Sequence, residues 1–406
     1  MFRLSQTREV YSPPAKVPNP RKSLRVLHLV PTLNLGGAEM YIHRLSCAQQ
    51  RQGMEPYVCA MQRGGPVEDL LKRDGIPVHV LGVERRSIKK PHQAISDIRS
   101  WYRGVRKLVQ DHNIQVVQAH LDDADWLAVW VGSKTNIPVC ITFHDTKLLP
   151  QDRDSQSGRA GLRRRLQRWV FPKAGALLAV GPEVRDLLLQ IPGVQADQVR
   201  VIPSSIVVPE RPSPEQLEGW RKSHADLMEA GPHLLCVGRM VAEKGQELVL
   251  EAMTEVIPRF PEARLWFAGD GPLRPQWEAL AEKLGISGNV RFLGHRLDVP
   301  ELLWLADLFV TGTRREGVGL AAAEALAACL PVVAFAVDGL NHVVEPGTGI
   351  LVPDGKAQAM AEAICALLAD PERRRRMGEQ GRKSAFRFDV GRSSELTEKV
   401  YRSLIS

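Results

Sequence analysis

Short apolar runs alternate with amphipathic stretches from Leu24 to the end of the chain, in two series separated by one proline-rich segment. The first series has strand-like runs at 24–30, 57–61, 78–81, 115–119, 139–143, 176–180 and 198–202, with helical patterns such as 39–52, 91–112 and 123–136 between them. The segment Val208-Pro-Glu-Arg-Pro-Ser-Pro214 reads as a linker by its proline content. A second series follows, with strands at 233–237, 264–268, 290–293, 308–311, 332–335 and 350–352. Its helices are 246–259, 273–284, 301–306, 320–328 and 356–369, and 389–404 closes the chain as a last helix. Strand–helix–strand alternation requires a parallel sheet covered on both faces. The predicted fold is therefore α/β, two doubly wound parallel sheets whose strand C-termini face a cleft where ligands bind.

At 406 residues the chain has room for two or three domains. Residues 1–23 are polar and proline-rich with no apolar core segment, so they are expected to form a disordered tail rather than a signal peptide. The expected first domain is 24–208, the linker and second domain 209–385, and the C-terminal helix 386–406 is able to cross back to the first domain. Six scattered cysteines without CxxC spacing fit reduced thiols in a cytosolic protein, not a disulfide frame or a zinc site. No stretch reads as a membrane span, since the most apolar one, 320–337, contains Glu324 and Pro331.

Charge is uneven. Residues 1–208 carry 30 Lys+Arg against 18 Asp+Glu, net +12, and residues 209–406 carry 24 against 28, net −4. The basic half suits a membrane surface, an acidic glycan carrier or nucleic acid. Its densest run places Arg163, Arg164, Arg165 and Arg168 around an apolar face of Leu162, Leu166, Trp169 and Val170. That pattern is either an amphipathic helix on anionic lipid or a solvated surface helix. Nucleic-acid binding has only the charge in its favour, with no aromatic-interleaved motif.

The run Glu316-Gly-Val-Gly-Leu-Ala-Ala-Ala-Glu324 concentrates the chemistry. Glu324 has Leu320, Ala321, Ala327 and Ala328 as its helical neighbours, so no cation on its own helix can pair with it. A carboxylate in such a setting is costly to bury alone, and a polar ligand or a distant arginine must satisfy it. A helix starting near Gly319 offers free N–H groups between the two carboxylates, an anion site. The order carboxylate, anion cradle, carboxylate matches a sugar, a diphosphate and a ribose; the alternative is a solvated Glu316.

Other strand ends add to this. Arg239 and Lys244 follow strand 233–237 and could clamp a diphosphate. Gly36 and Gly37 make a strand–turn–helix junction without GxGxxG or GxxxxGK[ST], so a dinucleotide or P-loop reading is weak. His120 ends one strand and His144-Asp145 another, pointing to a sugar or acceptor site. The turn at His295-Arg296 could present backbone groups to a base edge.

Together these residues resemble glycosyltransferase family 4, across roughly residues 24–405. The motifs are Val237-Gly-Arg239, Glu243-Lys244-Gly245, Phe267-Ala-Gly269-Asp270-Gly271-Pro272 and the Glu-x7-Glu pair Glu316 and Glu324. The resemblance implies the GT-B fold of two facing Rossmann-like domains and a retaining, metal-independent enzyme without cofactor. It implies that Glu316 holds sugar hydroxyls, that Glu324 binds the ribose, and that Arg239 and Lys244 neutralise the diphosphate. Gly36 and Gly37 would meet the phosphate or acceptor side, and His144 the donor sugar. His295 and Arg296 would meet the base, with backbone groups of Gly317, Val318, Gly319, Leu320 and Ala321 on sugar and phosphate. His120 and Asp145 are assigned to the acceptor side.

The chain departs from the family pattern at three places. Gly339-Leu-Asn341-His342 replaces Gly-x-Pro-Glu, Pro203-Ser204-Ser205 replaces Pro-Asn-Gly, and Cys329 stands where a helix-ending glycine is usual. The expected donor is a UDP-sugar rather than a GDP-sugar, and the expected acceptor a glycan or lipid-linked carrier of envelope synthesis. The expected location is cytoplasmic, with peripheral contact at the inner membrane face as an option. The rival readings are a nucleotide-sugar epimerase of the same fold and a non-catalytic nucleotide-sugar-binding partner.

Overall fold

The computed structural model describes residues 23–34, 36–84, 91–144 and 165–405. The chain forms two compact units: Met1–Ser205 together with Val390–Ser406, and Ile206–Asp389.

The first unit is built on seven parallel strands: β1 (Arg25–Thr32), β2 (Glu55–Arg63), β3 (Val78–Val80), β4 (Val116–His120), β5 (Val139–Phe143), β6 (Ala176–Ala179) and β7 (Val199–Val201). Their order across the sheet is β3-β2-β1-β4-β5-β6-β7, so the direction of winding reverses between β1 and β4. Helices α1 (Gly37–Arg51), α2 (Pro66–Arg73), α3 (Pro91–Asp111), α4 (Asp122–Thr135) and α5 (Pro182–Leu189) connect the strands. Strands β4 and β5 are buried at every position, as sheets covered on both faces require.

The second unit repeats the plan with six parallel strands: β8 (His233–Val237), β9 (Arg264–Ala268), β10 (Val290–Gly294), β11 (Leu308–Thr311), β12 (Val332–Phe335) and β13 (Gly349–Val352). Their order is β10-β9-β8-β11-β12-β13, with the reversal between β8 and β11. The helices are α6 (Pro214–Ser223), α7 (Gln246–Val256), α8 (Arg274–Lys283), α9 (Val299–Leu305), α10 (Leu320–Ala327), α11 (Asp338–Asn341), α12 (Ala357–Leu368) and α13 (Pro371–Ala385). Alternate side chains feed two cores. Leu234, Leu265, Phe267, Val333 and Phe335 pack with α7 and α12 on one face. Leu235, Trp266, Phe309, Val332 and Ala334 pack with Ala322, Ala323 and Leu326 of α10 on the other. The alanines let α10 sit close to the sheet.

The last helix, α14 (Val390–Ile405), belongs to the first unit. Gln52 Nε2 donates to the Gly391 carbonyl at 2.9 Å, and Ser394 Oγ donates to Gln52 Oε1 at 2.7 Å. Helices α6 and α13 were not among the helices read from sequence, and each carries proline in its first turn. Proline fits that position because its missing N–H would have no helical partner there. Among the described residues no helix is long and apolar enough to cross a membrane. The six cysteines are free thiols; Cys47 and Cys329 are half-buried and the rest buried.

Candidate active site

The winding reversal in the second unit brings the loop after β8 beside the loop after β11, the place where such sheets bind ligands. Arg314 N donates to the Glu243 carbonyl at 3.0 Å, and Thr313 Oγ1 donates to the same oxygen at 3.2 Å. The backbones touch at Gly245 and Gly312. Gly245 has φ +55, and a Cβ on it would lie 2.0 Å from the Gly312 carbonyl oxygen. This seam holds Lys244 against Glu316, with Nζ to Oε2 at 2.6 Å, both side chains half-buried.

Glu316 leads directly into α10. Gly319 at its N-cap is left-handed, φ +64, and no side chain caps the helix. A Cβ on Gly319 would meet Leu340 Cδ2 at 2.8 Å, so the turn requires glycine. Gly317 and Val318 are half-exposed, as are Leu320 and Ala321, while Gly319 is buried. Glu324 lies one turn into the helix and is half-buried, so the full burial cost expected from its apolar neighbours is not imposed. The atypical segment Gly339–His342 abuts this site: a Cβ on Gly339 would lie 2.4 Å from the Glu316 carbonyl oxygen.

Arg239 is exposed, and its carbonyl accepts from Gln246 Nε2 at 3.1 Å. His295 is exposed too. Arg296, by contrast, is engaged within its own turn: its Nε donates to Asp298 Oδ1 at 2.8 Å and its Nη2 to Oδ2. His224 Nε2 lies 3.0 Å from that same Oδ2. Arg296 therefore anchors the turn through its side chain. His224, Asp298 and Glu301 form one group of metal-capable side chains among the described residues, and His43, Cys47 and Asp74 another. Hydrogen bonds already close both, His43 Nε2 to Asp74 Oδ2 at 2.6 Å in the second.

In the first unit Gly36 caps α1 with extended backbone and Gly37 is exposed, with nothing within 4 Å of where its Cβ would stand. His120 and His144 end neighbouring strands and touch: His120 Nδ1 to His144 Nε2 is 3.0 Å. His120 is not the acceptor-side contact it was expected to be. It is wholly buried and its other nitrogen, Nε2, lies 3.1 Å from His28 Nδ1, so neither ring nitrogen is left for a ligand. Leu121, next in the chain, has φ 72 and ψ 152, a conformation otherwise almost confined to glycine, and marks strain at this strand end. His144 is half-exposed. Asp145, Arg163 and Arg164 lie outside the described residues. Arg165 and Arg168 are exposed, and so are Leu166 and Trp169, while Gln167 and Val170 turn inward.

Sequence reasoning missed His28, Gln49 and Tyr401, all fully buried and joined to this histidine pair. The signal existed for His28, a polar residue in the middle of an apolar strand.

Two tightly joined loops carrying a cation, a carboxylate and an uncapped helix N-terminus thus meet at the winding reversal of a doubly wound sheet. Residues 222–384 match the family described as glycosyl transferases group 1, and residues 36–204 match the glycosyl transferase 4-like domain. The chain belongs to this family of glycosyltransferases, with the GT-B fold. It is similar to EpsD of Bacillus subtilis (strain 168), 31% identical over 239 residues, which cover 58% of this chain and 62% of that one. It is 28% identical to the D-inositol 3-phosphate glycosyltransferase of Xylanimonas cellulosilytica, covering 94% of this chain and 96% of that protein. The crystal structure of Anabaena Alr3699/HepE in complex with UDP-glucose has the same fold, with a TM-score of 0.77, 20% identity and coverage of 94% and 100%.

Proposed function

We propose that this glycosyltransferase moves a sugar from a UDP-sugar to a glycan or lipid-linked acceptor, with retention of anomeric configuration and without a metal. The observation that carries the reading is the Lys244–Glu316 pair set directly before the uncapped N-terminus of α10, with Glu324 one turn further on. Helix N–H groups and Lys244 suit the leaving diphosphate, joined by the exposed Arg239. Stabilising the charge that develops on that diphosphate is the protein's main contribution, and cationic side chains supply it. The diphosphate oxygen then takes the acceptor proton as the new glycosidic bond forms on the face the leaving group departs. Glu316 accepts from sugar hydroxyls and Glu324 from the ribose. Gly36 and Gly37 suit the phosphate or acceptor side, and His144 a hydroxyl of the sugar.

The preference for uridine has support in the UDP-glucose bound by the similarly folded HepE. The exposed Arg165, Arg168, Leu166 and Trp169 suit a peripheral contact with anionic lipid, where a lipid-linked acceptor would be met. A thermal-shift panel of UDP-, GDP- and ADP-sugars tests the donor, because a ligand of the folded state raises its stability. UDP-sugars are expected to give the largest shift. A larger shift with GDP-sugars overturns the donor assignment, and a product of inverted anomeric configuration by proton NMR overturns retention.

A further inference from the structure

A continuous hydrogen-bonded chain runs through the interior of the first unit and ends at His144. Gln118 Nε2 donates to Thr142 Oγ1 at 2.6 Å, and the Tyr401 hydroxyl donates to Gln118 Oε1. Gln49 Nε2 donates to the Tyr401 oxygen at 3.2 Å, and Gln49 Oε1 lies 2.8 Å from His28 Nε2. His28 Nδ1 then meets His120 Nε2 at 3.1 Å, and His120 Nδ1 meets His144 Nε2 at 3.0 Å. His28, Gln49, Gln118, His120 and Tyr401 are all inaccessible to solvent. Strand register makes the chain: His28 is the partner of Gln118 and His120 the partner of Thr142 in the parallel ladders. Gln49 comes from α1 and Tyr401 from α14.

A neutral imidazole has one N–H and one lone pair, so in a head-to-tail row the tautomer of each ring dictates the next. Gln49 turns its carbonyl oxygen to His28 because its amide nitrogen is committed to Tyr401. His28 must then carry its proton on Nε2 and accept at Nδ1. His120 must donate from Nε2 and accept at Nδ1, and His144 must donate from Nε2. The Nδ1 of His144 is left as a lone pair, with no partner among the described residues. The opposite polarity would need both amides and the tyrosine hydroxyl reversed together. A second proton on His28 or His120 would set two N–H groups against each other.

We propose that this chain is a tautomer lock, which presents His144 as a neutral hydrogen-bond acceptor through Nδ1 to a hydroxyl of the sugar substrate. Gln49, His28, His120 and Tyr401 are positioning residues that act through His144. The identity of the hydroxyl's owner rests on the proposed function; the lock does not. Burial supports neutrality, pushing His28 and His144 down to about 4 and His120 well below its ordinary value.

The test uses the full-length protein labelled with 15N at histidine, read by long-range proton–nitrogen correlation at pH 7. The expected result is protonated Nε2 and bare Nδ1 for all three rings. A proton on Nδ1 of His144, or an imidazolium, overturns the lock. Tyr401→Phe keeps the ring and removes the hydroxyl, and Gln49→Met removes the amide at similar volume, so either folded variant serves. Each is expected to mix the tautomers of His144 and to lower kcat roughly tenfold, the effect of one lost hydrogen bond, with little change in KM for the donor. Unchanged tautomers in both variants overturn the lock. Shifted tautomers in a protein that turns over no nucleotide sugar uphold the lock and remove the functional reading instead.

Discussion

Lys244 Nζ and Glu316 Oε2 are 2.6 Å apart, so the cation assigned to the diphosphate is held by the carboxylate assigned to the sugar. Both are half-exposed, and such a pair adds little to stability, about 0–1 kcal/mol. The arrangement keeps the ammonium in place before the donor arrives. Lys244→Ala and Arg239→Ala are expected to leave the fold intact and to lower kcat by roughly 10²–10³, the range for a lost charge-stabilising donor. Steady-state kinetics beside a thermal melt measure both. Near-normal turnover in the two variants would sink the assignment.

Glu316→Gln separates the two roles. It removes a negative charge beside the diphosphate site, so UDP alone should bind as well as before or more tightly, while transfer falls. Calorimetric titration with UDP and turnover with the donor provide the two numbers. Weaker UDP binding with normal turnover would reverse the assigned roles.

Glu324 offers a double-mutant test of the ribose contact. UDP should lose affinity in Glu324→Gln by about 1.5–3 kcal/mol, the value of a hydrogen bond to a charged group. A UDP analogue without ribose hydroxyls should bind wild type and variant equally. An equal loss for both nucleotides would show that Glu324 acts elsewhere.

The histidine row predicts acid sensitivity. Their ordinary value is 6.5, and burial lowers His28 and His144 to about 4 in the folded protein. Between those values the unfolded chain binds protons that the folded chain excludes. Stability on their account is complete above pH 6.5 and is lost as pH falls, at about 1.4 kcal/mol per unit for each group. Urea midpoints at pH 7, 6 and 5, above the carboxylate range, should fall in that order. A flat series would mean that the rings are charged or exposed.

Cys329 has φ +60 just past α10, a conformation that costs an L-residue roughly 1–2 kcal/mol. Cys329→Gly removes that strain at some cost in chain entropy. The expected net gain is about 0.5–1 kcal/mol, read as a higher urea midpoint for the second unit. A lower midpoint would show that the half-buried thiol contributes more than the strain costs.

The strands were legible because parallel sheets covered on both faces leave near-continuous apolar runs, and β5, β8, β9, β11 and β12 begin and end where the sequence places them. Proline misled. Pro214 reads as the end of a linker, yet it opens α6 behind a Ser213 cap. In the second unit the motif residues Lys244, Glu316, Gly319 and Glu324 were visible because glycines and charges interrupt apolar surroundings. The role of Arg296 was not, because its partner Asp298 looks like any other loop carboxylate. The histidine chain was hidden for another reason: Gln49 and Tyr401 stand 352 residues apart, and a helix pattern does not say which polar residue will face inward.

The placement of α14 has a consequence for the order in which the protein is made. At roughly 5–20 residues per second, strands β1 to β7 leave the ribosome well before Tyr401 exists. Until then Gln49 and Gln118 lack the hydroxyl between them, and Gln52 lacks Ser394 and the Gly391 carbonyl. Each buried group so deprived costs about 1–3 kcal/mol, which opposes early closure of the first unit. An interrupted chain could carry all three histidines and still have nothing to fix their protons. Closure of the first unit therefore waits on α14, through the same bonds that join the histidine row.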